Sequence, residues 1–261
     1  MKRTIVLIAI ALTSCVVQKN KNTIDFAKNS VVAHRGAWKS KDLPENSIAS
    51  LKHAIAIGCT GTEFDVRMTA DDSLIINHDP HYNKLEIEKV SYSELSQSKL
   101  ANGEILPTLR QYLLTGIHGN KKTRLVCEIK PSGISKERGK LMAEKTLSLV
   151  KELRLEKMMV YISFDYDIMK KIVEINPKAI TQYLNGDKSP EQLRADGIQG
   201  ADYHFSVFKS HPEWIDSAKK NNIALNVWTV NNADDMKWFH EKGFDFITTN
   251  EPELLLTILK K

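Results

Sequence analysis

IALNVWTVNNADDMKWFHEKGFDFITTNEPELLLTIL, residues 223–259, contains two short β-branched runs, each leading into a helical stretch. Ile223–Val230 reads as a strand and Ala233–Lys242 as its helix; Phe244–Thr248 and Pro252–Leu259 repeat the pair. The alternation continues back to residue 30. Val31–His34 precedes the helix Ser47–Ile57. Thr62–Met68, with Leu74–Asn77 as a hairpin partner, precedes Thr108–Leu114. Arg124–Ile129 precedes Arg138–Leu153, and Met159–Ser163 precedes Asp167–Ile175. Ala179–Leu184 precedes Pro190–Ala195, and Tyr203–Val207 precedes Pro212–Asn221. Repeated strand–helix units imply parallel strands joined by right-handed crossovers. Eight units between residues 30 and 261 fit an α/β fold of the (β/α)8 TIM-barrel type better than an open doubly wound sheet. The turn after the first strand is His34-Arg35-Gly36 with no second glycine nearby, which argues against a dinucleotide fingerprint. The charged, Ser-rich segment 83–104 reads as a small insertion after the second strand.

The chain has 261 residues, 42% hydrophobic and 26% charged. That is ordinary globular composition, enough for one large core without disulfides. Lys and Arg exceed Asp and Glu by 37 − 32 = 5, with the charges scattered. Such a balance suits an anionic small-molecule substrate and gives no basic stripe for nucleic acid. Residues 1–15, MKRTIVLIAIALTSC, join two basic residues to an apolar run too short to span a bilayer. They read as a signal peptide whose Leu-Thr-Ser-Cys ending resembles a bacterial lipobox. On that reading Cys15 carries lipid, residues 16–29 are a tether, and residues 30–261 form an exported domain anchored to a membrane of the cell envelope. Cys59 and Cys127 then remain, without metal-ligand spacing, and are expected as buried thiols.

In such a barrel the chemistry gathers where strands end. The first strand ends in His34-Arg35, the second carries Glu63 and Asp65, and its hairpin partner runs into His78-Asp79. The third carries Glu128 and leads to Lys130; the seventh carries Trp228. Side chains two apart on a strand share a face. Glu63 with Asp65, and Glu128 with Lys130, therefore point into the mouth if Phe64 and Ile129 pack beneath the helices. Three carboxylates in one pocket repel one another unless a cation lies among them. Oxygen ligands in this number suit a hard divalent ion, Ca²⁺ or Mg²⁺, rather than Zn²⁺.

Taken in order, VVAHRG (31–36), LPENS (43–47), GTEFDVRMTADD (61–72), NHD (77–79), CEIK (127–130), NVWTVN (226–231) and GFDFITTNEPE (243–253) resemble the glycerophosphodiester phosphodiesterase family across the whole folded domain. The resemblance implies metal-dependent hydrolysis of glycerophosphodiesters to glycerol 3-phosphate and an alcohol. It implies that His34 and His78 are the acid–base pair and that Glu63, Asp65 and Glu128 hold the metal. Arg35 and Lys130 are implied phosphate contacts, Trp228 part of the pocket wall, and Glu45 a further substrate-side residue of the Pro-Glu-Asn element. Asn46 or Ser47 is an alternative helix cap there. The family's chemistry implies attack by the glycerol 2-hydroxyl, giving a cyclic phosphate that water opens. The alternatives are a lysophospholipid or other phospholipid diester as substrate, and a non-catalytic lipoprotein binding phosphorylated ligands. The alcohol, the ion, the assignment of acid and base, and any protein partner stay open at this level.

Overall fold

The computed structural model describes residues 24–260. Eight parallel strands close into a barrel in the order β1 (Val31–Ala33), β2 (Gly61–Met68), β6 (Arg124–Ile129), β7 (Met159–Ser163), β8 (Thr181–Tyr183), β9 (Gly200–His204), β10 (Ala224–Trp228) and β11 (Phe246–Thr249). Closure is the pairing of β1 with β2 on one side and β11 on the other. Helices α1 (Ile48–Ile57), α3 (Leu109–Ile117), α4 (Lys136–Glu152), α5 (Tyr166–Ile175), α6 (Pro190–Ala195), α7 (Phe205–Ser210), α8 (Glu213–Lys220), α9 (Ala233–Glu241) and α10 (Pro252–Ile258) follow the strands. The expected (β/α)8 barrel is therefore the observed fold. Among the described residues no helix is long and apolar enough to cross a membrane.

Alternation along the strands sorts two cores. Val31, Ala33, Phe64, Val66, Cys127 and Ile129 face the helices, where the Phe64 ring packs against the Tyr112 ring at 4.7 Å, tilted by 40°. Val32, Val126, Val160, Ile162 and Leu184 turn inward and fill the barrel. Phe64 and Ile129 thus do pack beneath the helices, which commits their charged neighbours to the interior. A polar chain crosses the same interior: Thr248 Oγ1 donates to Asn226 Oδ1 (3.1 Å), and Asn226 Nδ2 to Gln182 Oε1 (3.2 Å). Cys59 and Cys127 are buried free thiols.

The insertion has its own small core. β3 (Leu74–Ile76) runs antiparallel to β2; β4 (His81–Tyr82) pairs with β5 (Leu85–Glu86), and α2 (Tyr92–Leu95) follows. Ile75, Ile87, Leu95 and Leu106 are buried together beneath it.

Two expectations shift. The sixth barrel strand is Gly200–His204, not Tyr203–Val207. The aromatic run Tyr203–Phe205 carries strand propensity, but His204 caps α7 by accepting from the Ser206 N–H, so the chain turns helical there. The true strand opens on a glycine because a Cβ at Gly200 would meet Gln182 Cγ at 2.5 Å. The end of the expected tether is also not free. Asp25 and Ala27 donate from their backbone to the Lys121 and Lys122 carbonyls, and the Arg124 guanidinium sits 3.8 Å from the Phe26 ring. An aromatic ring and paired backbone groups in a polar-looking segment tie residues 25–29 to the face where strands begin. The predicted signal peptide and Cys15 lie outside the described residues.

Candidate active site

The turn after β1 builds the site. Arg35 has φ 56° and Gly36 φ 82°. Gly36 is required twice over, since a Cβ there would also lie 2.4 Å from Ser50 Oγ and 2.7 Å from the Ser50 backbone. The turn aims the Arg35 N–H at Glu63 Oε2 (2.8 Å). Asn46, in the left-handed region at φ 58°, donates its backbone N–H to the Arg35 carbonyl and its Nδ2 to Asp65 Oδ2 (2.8 Å). Ser47 then caps α1. Asn46 is thus an arm of the site, and the cap belongs to Ser47.

Glu63, Asp65 and Glu128 are 3%, 1% and 7% exposed, and one oxygen of each lies within 4.8 Å of the others. Lys130 Nζ is 2.7 Å from Glu128 Oε1 and 3.3 Å from Asp65 Oδ1. Three desolvated carboxyls cannot all ionise at their ordinary values. Burial, with Asp65 and Glu128 beside it, pushes Glu63 well above the usual range. Burial and Asp65 push Glu128 up to about 7. For Asp65, burial is outweighed by Lys130, by His78 and by the Asn46 bond, which bring it down to about 2. Glu63 Oε1, Asp65 Oδ1 and Glu128 Oε1 are buried with no hydrogen bond of good geometry. Converging, buried, all-oxygen donors, two of them with raised proton affinity, fit a hard divalent cation, and Lys130 supplies only part of the positive charge they need.

His34 Nδ1 lies 2.7 Å from Asn250 Oδ1. With that amide oxygen facing it, Nδ1 carries the proton and Nε2 turns its lone pair to the cavity, 4.0 Å from Glu63 Oε2. Burial and the Arg35 charge hold the His34 imidazole below its ordinary value, against the opposing Asn250 bond. His78 Nδ1 pairs with Asp79 Oδ1 at 2.8 Å, and Arg67 Nε donates to the His78 carbonyl at 2.8 Å. Arg67 follows Glu63 and Asp65 on the same strand face and fixes the loop that carries His78.

These groups surround a cavity of about 120 Å³ at the strands' carboxyl ends. Of the residues expected in the site, His34, Arg35, Glu63, His78, Glu128, Lys130 and Trp228 line it, with Asp65 buried behind. Glu45 does not line it; its Oε2 accepts from Arg35 Nη1 at 2.6 Å and orients that guanidinium. Ile162, Phe164, Leu184, Asp202, Thr229 and Thr248 complete the wall, and Phe164 meets Trp228 edge-on at 5.4 Å. Arg67, Asp202 and Asn250 were not singled out by sequence reasoning, and Asn46 was named there only as a candidate helix cap. Asn46 and Asn250 lay within quoted motifs, in Pro-Glu-Asn and Asn-Glu-Pro-Glu.

An acidic triad able to hold a divalent cation, with Arg35, Lys130 and two histidines facing the same cavity, suits hydrolysis of a phosphodiester on a barrel. Residues 34–254 match the glycerophosphoryl diester phosphodiesterase family, and the chain belongs to it. A glycerophosphodiester phosphodiesterase of Caldanaerobacter subterraneus subsp. tengcongensis is 32% identical over 90% of this chain and 99% of its own. The crystal structure of one from Parabacteroides distasonis is 41% identical, with a TM-score of 0.86 over 90% of this chain and 98% of that one. An Oleispira antarctica phosphodiesterase, solved with sn-glycerol-3-phosphate, shares the fold at 21% identity and a TM-score of 0.78, covering 89% and 97%. The protein is thus an enzyme that hydrolyses glycerophosphodiesters, and family enzymes use a divalent metal of the kind the acidic triad suits.

Proposed function

We propose that the enzyme cleaves small, deacylated glycerophosphodiesters such as glycerophosphocholine and glycerophosphoethanolamine, using Ca²⁺ or Mg²⁺ held by Glu63, Asp65 and Glu128. The observation that carries this reading is the small cavity beside the triad, about 120 Å³, with both histidines and both cations on its wall. When bound, the ion supplies Lewis-acid polarisation of the phosphoryl and hydroxyl oxygens. Arg35 and Lys130 screen the phosphate charge and hold it in line. His34, kept neutral by burial and by Arg35, takes the proton of the glycerol 2-hydroxyl as that oxygen attacks phosphorus. His78, steadied by Asp79, gives a proton to the departing alkoxide. The two exchange roles when water opens the cyclic phosphate. Attack from within the substrate gains the proximity advantage of an intramolecular reaction.

The entry of the chain supports a soluble substrate. Residues 25–29 are tied to the face opposite the mouth. A lipid on Cys15 would tether the domain from that face, the one away from the mouth. The reading of the protein as an envelope lipoprotein rests on the signal-peptide pattern of residues 1–15 and their Leu-Thr-Ser-Cys ending.

The test uses protein lacking residues 1–15, incubated with glycerophosphocholine, glycerophosphoethanolamine and a lysophospholipid, with Ca²⁺, Mg²⁺ or chelator. Metal-dependent release of glycerol 3-phosphate from the first two is expected. Preference for the lysophospholipid, or full activity in excess chelator, would sink the reading.

A further inference from the structure

Opposite the acidic triad, the cavity wall carries a further buried carboxyl that the reaction as derived does not use. Asp202 points inward from β9, a strand on the far side of the barrel from β2. It is 1% exposed, lines the cavity, and has an oxygen, Oδ1, with no hydrogen-bond partner. Its setting differs from that of the triad. Glu63, Asp65 and Glu128 feel Lys130, whereas the charge acting on Asp202 is another acid, Glu128. Its backbone carbonyl accepts from Trp228 Nε1 at 2.9 Å, which fixes the strand beside the aromatic wall but leaves the side chain unused. A buried polar atom without a partner costs stability, and a position facing the cavity can escape that cost with an apolar residue, as Ile162 on β7 and Leu184 just after β8 do. A partner supplied by the bound substrate accounts for a carboxyl there.

Chemistry narrows the partner to a neutral hydroxyl. Burial and Glu128 hold the Asp202 carboxyl well above the usual carboxylate range, so it can both donate to and accept from an alcohol. Depth narrows it further. The leaving alcohol varies among glycerophosphodiesters and needs the open side of the mouth, while the glycerol is common to all and fits the closed floor. The glycerol 2-hydroxyl is committed to attack, which leaves the terminal one.

We infer that Asp202 is a specificity-determining residue that reads the free terminal hydroxyl of the substrate's glycerol. The inference rests on the glycerophosphodiester reading above. Its consequence is that the enzyme rejects diesters whose diol lacks that hydroxyl, even when the secondary hydroxyl needed for attack is present.

The experiment compares glycerophosphocholine with the phosphocholine diester of propane-1,2-diol. That analogue keeps the secondary hydroxyl and loses only the terminal one. Choline carries no hydroxyl once esterified, so any preference arises from the diol. Wild-type enzyme is expected to favour the glycerol substrate in kcat/KM by about 10- to 100-fold, the scale of one buried polar group left unpaired. Asp202→Leu should bring that ratio close to one, and Asp202→Asn, which keeps a donor and an acceptor, should retain part of it. A merely structural role lowers both rates together and leaves the ratio alone. Absence of preference in the wild type overturns the inference without any variant, so it does not depend on Asp202→Leu folding. An unchanged ratio in a folded Asp202→Leu overturns it too. Wild-type inactivity on both diesters, in a preparation that melts cooperatively, overturns the substrate reading and this inference with it.

Discussion

Replacing Glu128 by glutamine should abolish activity yet stabilise the metal-free enzyme at alkaline pH. Glu128 is pushed from an ordinary 4.5 to about 7 by burial and by Asp65. Its folded-state value lies above its unfolded one, so the folded chain binds more protons between those values. Stability is then fully present below about pH 4.5 and is lost as pH rises through about 7. The loss comes to 7 − 4.5 = 2.5 units, or about 3 kcal/mol at roughly 1.4 kcal/mol each. Glutamine has the shape of the protonated acid and cannot ionise. At 2–4 °C per kcal/mol for a domain near this size, Glu128→Gln in chelator should melt roughly 6–12 °C above wild type at pH 8. The difference should vanish near pH 5, where wild-type Glu128 is protonated. Adding Ca²⁺ or Mg²⁺ at pH 8 should raise the wild-type melting temperature and leave the variant nearly unmoved, because the third ligand is gone. Thermal melts followed by circular dichroism at pH 5 and 8, with chelator and with metal, make the test. A variant no more stable than wild type at pH 8 in chelator would refute the argument that these carboxyls are strained without a cation.

Other consequences follow from the same geometry. His34→Ala and His78→Ala should each lower kcat by at least about 10²-fold without loss of cooperative melting; a near-wild-type rate would remove that residue from the mechanism. Asn250→Leu removes the bond that raises the His34 value, so the acidic limb of the kcat/KM profile should move to lower pH as the rate falls. An unmoved limb would separate His34 from the titrating base. Arg67→Leu breaks the bond to the His78 carbonyl and should cost roughly 10- to 100-fold in kcat through misplacement of His78, with a smaller change in KM; equal loss in thermal stability and no kinetic loss would make Arg67 structural only.

What the sequence disclosed depended on charge and alternation. Glu63 and Asp65 flank Phe64, and Lys130 and Glu128 flank Ile129; a period of two then decides which face each takes, and the hydrophobic layer beneath the helices enforces it. Residues whose part in the site is to orient a neighbour left no such trace. Asn46 and Asn250 grip Asp65 and His34 through amides that look like ordinary loop residues, and Arg67 is spent on a backbone carbonyl no composition reveals. Asp202 was hidden by the shifted strand: with Tyr203–Val207 as β9, it lay in the preceding loop, and only the true register from Gly200 turns it into the cavity. The residues that set charge are legible because charge needs a compensating partner somewhere in the chain. The residues that set orientation and choice of substrate become visible only when the barrel closes and brings β2 and β9 to face each other across one small cavity.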